Sequence, residues 1–190
     1  MKMKPYISLD LETTGICPET CQVIEVGGVF DFPDRPLADC PRFHTYVRHK
    51  LYVGEPFALA MNQRIFKILA DPKTTEPICC LDDVPVELAA WIKRCGWDMD
   101  ERKFSFAGKN FGGFDRGFLR RVPLFDQIIK YKHRHYDAGN MYFDPRIDED
   151  LPSTEQCLQR AGLPASASHE AVADAVAVAA LVRARYGIPI

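Results

Sequence analysis

Asp10 and Glu12 stand two residues apart in Tyr6-Ile7-Ser8-Leu9-Asp10-Leu11-Glu12, a segment with the alternation of a β-strand. Side chains two apart on a strand project from one face, so the two carboxylates share a face. Buried together they would repel and lose hydration unless a cation neutralised them. Oxygen ligands suit a hard divalent metal; an edge strand with one wet face would instead leave them as ordinary surface acids. Asp115 opens a helix after Asn110-Phe111-Gly112-Gly113-Phe114, where it reads either as a cap or as a further ligand. The glycines there permit a tight turn or close approach to a substrate. Asp174 is the sole acid between Ala171 and Val182, a run otherwise of Ala, Val and Leu, and a carboxylate there needs a partner or a metal. His169 lies five residues earlier, either as a surface or capping residue or within reach of the same cavity. Four carboxylates and a histidine from three separated segments together point to metal-dependent chemistry, which none of them does alone.

The elements that must position these groups follow from periodicity and turn signals. Strands are expected over Tyr6 to Glu12, Val23 to Phe30 and Phe43 to Val47, joined as an antiparallel meander by Thr13-Thr14-Gly15 and Asp31-Phe32-Pro33-Asp34-Arg35-Pro36. A helix is expected over Phe57 to Leu69, then a loop with Pro72, Pro77 and the pair Cys79-Cys80. A second helix spans Pro85 to Cys95, with Gly96 suited to the position after its last turn. Phe104 to Gly108 reads as a strand, Phe114 to Arg121 and Leu124 to Tyr131 as short helices split by Pro123, and His135-Tyr136-Asp137 as an extended piece. After an acidic loop, Ser153 and Gln156 have capping-box spacing, Gly162 stops that helix, and a last helix runs from His169 to Arg185. The expectation is a single mixed α/β domain over residues 1–190, with five strands flanked by helices.

Composition bounds the function. With 190 residues, 47% hydrophobic and 26% charged, the chain is an ordinary globular one, which excludes disorder, collagen and coiled coil. A chain of this length buries about 70% of its surface without disulfides or structural metal. A formal charge of −2 argues against bulk electrostatic binding of nucleic acid. Locally, however, Arg116, Arg120, Arg121, Lys130, Lys132 and Arg134 face only Asp126, which is either a solvated face or a track for phosphates. No apolar run reaches the ~20 residues of a membrane span, and Asp10 and Glu12 interrupt any signal-peptide core. Seven cysteines match no common disulfide framework, and Cys17 and Cys21 lack a second pair for zinc, so a reducing cytoplasm is expected.

Three ordered motifs carry a family resemblance. Ser8-Leu9-Asp10-Leu11-Glu12-Thr13-Thr14-Gly15 resembles the first motif of the DEDD superfamily of 3′-to-5′ exonucleases, Asn110 to Leu119 (NFGGFDRGFL) the second, and His169-Glu170-Ala171-Val172-Ala173-Asp174-Ala175 the third, in its histidine form. The chain is thus similar to the DEDDh group, with the bacterial proofreading subunit, ribonuclease T and oligoribonuclease. The resemblance implies an RNase H-like fold and hydrolysis of phosphodiesters from a 3′ end of single-stranded DNA or RNA, releasing nucleoside monophosphates. It implies two magnesium ions, or manganese in their place, with Asp10, Glu12, Asp115 and Asp174 as ligands and His169 as general base. It also places Leu11, Thr13 and Thr14 around the terminal nucleotide, with Asn110 nearby. Phe111 either stacks on a base or packs in the core. Ala58, Met61 and Asn62 resemble the helix near the 3′ end in ribonuclease T-like sequences. A homodimer is plausible by the same resemblance. Alternatives are a polymerase-associated proofreading subunit and a catalytically weak nucleic-acid-binding module of the same fold.

Overall fold

The computed structural model describes residues 3–164 and 169–190. In chain order the elements are β1 (Tyr6–Thr13), β2 (Val23–Asp31), β3 (Arg42–Arg48), α1 (Pro56–Met61), α2 (Gln63–Ala70), β4 (Ile78–Cys80), α3 (Val84–Arg94), β5 (Phe106–Gly108), α4 (Asp115–Leu119), α5 (Phe125–Ile128), β6 (Tyr136–Asp137), α6 (Ala138–Tyr142), α7 (Thr154–Arg160) and α8 (Ala171–Arg185). They form one mixed sheet in the order β4-β3-β2-β1-β5-β6. The first three strands are the expected antiparallel meander; β4, β5 and β6 add in parallel to their neighbours. The sheet therefore has six strands rather than five, because Cys79 and Cys80 lie in a three-residue strand beside β3. That strand is too short to show a period.

β1 is central, so its acids are not on an edge. Its alternation sends Ile7, Leu9 and Leu11 into a core shared with Trp91, Phe106, Phe118 and Phe125, under α3, α4 and α5. Tyr6 joins the opposite core with α6, α7 and α8, and Ser8, Asp10 and Glu12 follow its parity onto that face. Helices thus cover both faces of the sheet.

Two boundaries differ from expectation for local reasons. Asn62 divides the expected helix over Phe57 to Leu69: its side-chain amide donates to the Thr13 carbonyl at 3.0 Å, and its backbone leaves the helical range at ψ 20°. Leu124, after Pro123, takes a left-handed φ of 59°, α5 ends at Ile128, and Tyr131 bridges to Phe104 instead of continuing the helix. The capping box at Ser153 and Gln156 forms with both of its hydrogen bonds. Arg183 of α8 is buried at the far end of the helix, where its Nε donates to both oxygens of the equally buried Asp31 at 3.1 Å and its other nitrogens to the Arg35, Phe32 and Pro189 carbonyls.

Candidate active site

α8 starts against β2 because of one glycine. Gly27 pairs with Asp10, and a Cβ there would lie 2.2 Å from the carbonyl carbon of Ala171 and from the amide nitrogen of Val172. Only a bare backbone admits the helix this closely. Ala171, Ala175 and Ala179 keep it pressed onto the sheet. One turn in, Asp174 reaches the β1 acids: Asp10, Glu12 and Asp174 each offer an oxygen, and these lie within 4.8 Å of one another.

Asp115 lies outside that trio but next to it. It is the first residue of α4, 2% exposed, and its charge is the largest of those acting on Asp10. Burial, followed by the charges of Asp115, Glu12, Asp174 and Glu25, pushes the Asp10 carboxyl well above the usual carboxylate range. Burial, then Glu25 and Asp174, raises Glu12 to about 7, opposed by Arg64 and the Asn62 amide. Asp115 is raised to about 8 by burial, with backbone amides of its own and of Leu11 opposing. Asp174 rises to about 6 through burial, held down by the neighbouring His169. Burial and mutual repulsion raise all four carboxyls, and a cation bound among them would relieve both. An all-oxygen donor set of this kind fits a hard divalent metal.

His169 precedes α8, exposed, and near enough to Asp174 for its charge to act there. The helix begins at Ala171 rather than at His169, so the imidazole sits on the approach to the helix. A group that sequence reading missed anchors this approach. Arg64 of α2 donates to the His169 carbonyl at 3.2 Å, to Glu25 at 2.9 Å and to the Tyr46 hydroxyl at 2.8 Å. Glu25 is buried opposite Glu12 in the β1–β2 register and also meets His44 Nε2 at 2.8 Å. It is therefore a fifth carboxylate of the cluster, paired with Arg64 yet still adding its charge to Glu12, Asp10 and Asp174. Its parity with Glu12 across the hairpin was the available signal; the position of Arg64 was not legible.

The expected substrate contacts divide. Leu11, Thr13 and Thr14 are buried, and both threonine hydroxyls are committed, Thr13 to the Gly15 carbonyl and Thr14 to that of Val53. Asn110 is exposed, with a left-handed φ of 60°. Phe111 takes the core alternative: it is 1% exposed and stacked on Phe106, so no ring face is left for a base. Exposed apolar side chains occur instead at Ile16, Leu51, Val53 and Phe57. The loops bearing Ile16, Leu51 and Val53 are tied to one another and to the start of α1 by Glu55, which accepts from the Ile16 amide, and by Gln22, which bonds Leu51 and Val53.

No family model matches the chain, and no curated protein matches it in sequence. Solved structures do match. Escherichia coli exonuclease I in complex with a dT13 oligonucleotide carrying a 5cy label superposes with a TM-score of 0.60 at 17% identity, over 96% of this chain and 40% of that one. A zinc-bound form of the same enzyme with single-stranded DNA gives 0.62 at 19%, over 97% and 42%. The Neurospora crassa Pan2 catalytic unit, with protease and nuclease domains, gives 0.59 at 12%, over 98% and 28%. This chain spans less than half the length of each. Along nearly all of its own length it shares the RNase H-like fold with these structures.

Proposed function

We propose that the chain is a metal-dependent 3′-to-5′ exonuclease of the DEDDh kind, acting on single-stranded nucleic acid. The observation that carries the reading is the convergence of Asp10, Glu12 and Asp174 within 4.8 Å, with Asp115 and His169 beside them. The shared fold and the oligonucleotides bound to exonuclease I support it.

Asp10, Glu12 and Asp174 would hold one magnesium or manganese ion, and Asp10 with Asp115 a second, directly or through water. Such ions, when bound, lower the pKa of water and offset charge on the phosphate. His169, exposed at the mouth of the cluster, accepts the proton of the attacking water. Arg64 keeps the His169 backbone in place, and its own charge offsets part of what Glu25 adds to Glu12. The 3′-terminal nucleotide would sit against the Leu11–Thr14 backbone, with the exposed Asn110 as a further contact and bases resting on the exposed apolar side chains of Ile16, Val53 and Phe57.

Digestion of 3′- and 5′-labelled single-stranded DNA and RNA with magnesium tests the reading. Mononucleotides released from the 3′ end are expected, and the comparison of the two sugars defines the substrate. No metal-dependent product from any of the four would refute it.

A further inference from the structure

On the flank of α4 away from Asp115, a cavity of about 300 Å³ is lined by Lys103, Arg116, Asp126, Lys130, Tyr131 and His133. Arg116 follows Asp115 by one residue, about 100° around the helix. One residue therefore faces the carboxylate cluster while the next faces this cavity. We infer that the cavity binds an oxyanion, namely a phosphodiester of the nucleic-acid strand upstream of its 3′ terminus.

Three observations lead there. The Arg116 Nε is buried with no hydrogen-bond partner among the described residues, and a buried guanidinium donor without an acceptor is costly unless a ligand or water supplies one. Lys103, Arg116 and Lys130 take part in none of the ion pairs of the described residues. Asp126, the one acid in the lining, accepts from the Tyr131 hydroxyl at 2.6 Å, and set against Lys103, Arg116 and Lys130 it leaves a surplus of positive charge. The volume equals about ten waters, ample for a tetrahedral oxyanion. Arginine and lysine together supply the forked and point donors that phosphate oxygens take. The cavity is an open one within the 116–135 basic stretch, whose Arg120, Arg121, Lys132 and Arg134 are exposed.

That the oxyanion belongs to a nucleic acid rests on the nuclease reading; that the site takes an oxyanion does not. The test is binding of a fluorescent single-stranded dT oligonucleotide about 12 nucleotides long, in EDTA so that nothing is hydrolysed, with salt varied from about 50 to 200 mM. Arg116→Gln and, separately, the surface double variant Lys103→Gln/Lys130→Gln are compared with the unaltered chain, and inorganic phosphate is titrated by calorimetry. Affinity is expected to fall about three- to tenfold in each variant, with the salt slope smaller by about 0.7 per lost contact. Saturable phosphate binding lost in the variants, with oligonucleotide affinity unchanged, would keep the oxyanion site and make its ligand free phosphate. Unchanged oligonucleotide affinity and slope in both variants, with no phosphate binding to lose, overturns the inference even if the enzyme is an active nuclease. Failure of the nuclease reading shows separately, as absence of turnover by the unaltered chain.

Discussion

Glu12→Gln in metal-free protein tests the electrostatics of the cluster apart from any turnover. Glu12 is 9% exposed and its pKa rises from 4.5 to about 7. A carboxyl raised on folding holds its proton in the native state at a pH where the unfolded chain has lost it. Its contribution to stability is therefore fully present below about 4.5 and disappears as pH climbs through about 7. At about 1.4 kcal/mol per pKa unit, ionised Glu12 costs the native state about 3 kcal/mol at pH 8 and under about 1 kcal/mol at pH 5. Glutamine keeps an oxygen for the Asn62 amide and removes the charge, so the variant should be the more stable protein at pH 8 without metal. For a chain of this size that is a Tm about 6–12 °C higher, shrinking towards pH 5. Urea denaturation in EDTA at the two pH values measures it. Added magnesium should then stabilise the unaltered chain more than the variant. A variant no more stable than the unaltered chain at pH 8, or a difference that does not shrink at pH 5, would refute the reasoning.

Asp174→Asn should abolish metal-dependent turnover with the circular dichroism spectrum unchanged; a near-normal rate would remove Asp174 from the site. His169→Ala should lower kcat by about 10²–10⁴-fold while calorimetric metal binding persists, and loss of that binding would make His169 a ligand rather than a base. Gly27→Ala, whose Cβ would lie 2.2 Å from the α8 backbone, should cost about 1–3 kcal/mol in urea denaturation and lower the rate by displacing Asp174; a variant matching the unaltered chain in both would contradict the seating of α8. Arg183→Met strands the buried Asp31 carboxylate and should cost about 3–5 kcal/mol, part of which Asp31→Asn added in the same chain should restore.

Features set by local spacing were legible in the sequence. The period of two put Asp10 and Glu12 on one face, the meander followed from turn residues, and the Ser153 capping box formed as its spacing implied. Asp174, alone in an apolar helix, announced itself as a group needing partners, and the three motifs ordered all five candidate residues. Segments too short to carry a period were decided elsewhere: β4 exists because β3 offers an edge, and the break at Asn62 because the Thr13 carbonyl needed a donor. Phe111 gives no local sign of facing Phe106 rather than solvent. The distance from Asp10 to Asp174 depends on Gly27, where a missing Cβ lets a helix from the far end of the chain touch the sheet. Glu25 and Arg64 lie 39 positions apart, and their pairing exists only once β2 and α2 are packed together. Which groups could do chemistry follows from residue type and spacing, because both are local properties. Which charges crowd together at one point, and which meet a cation, is settled by packing, because burial and Coulomb energy depend on distances that folding alone creates.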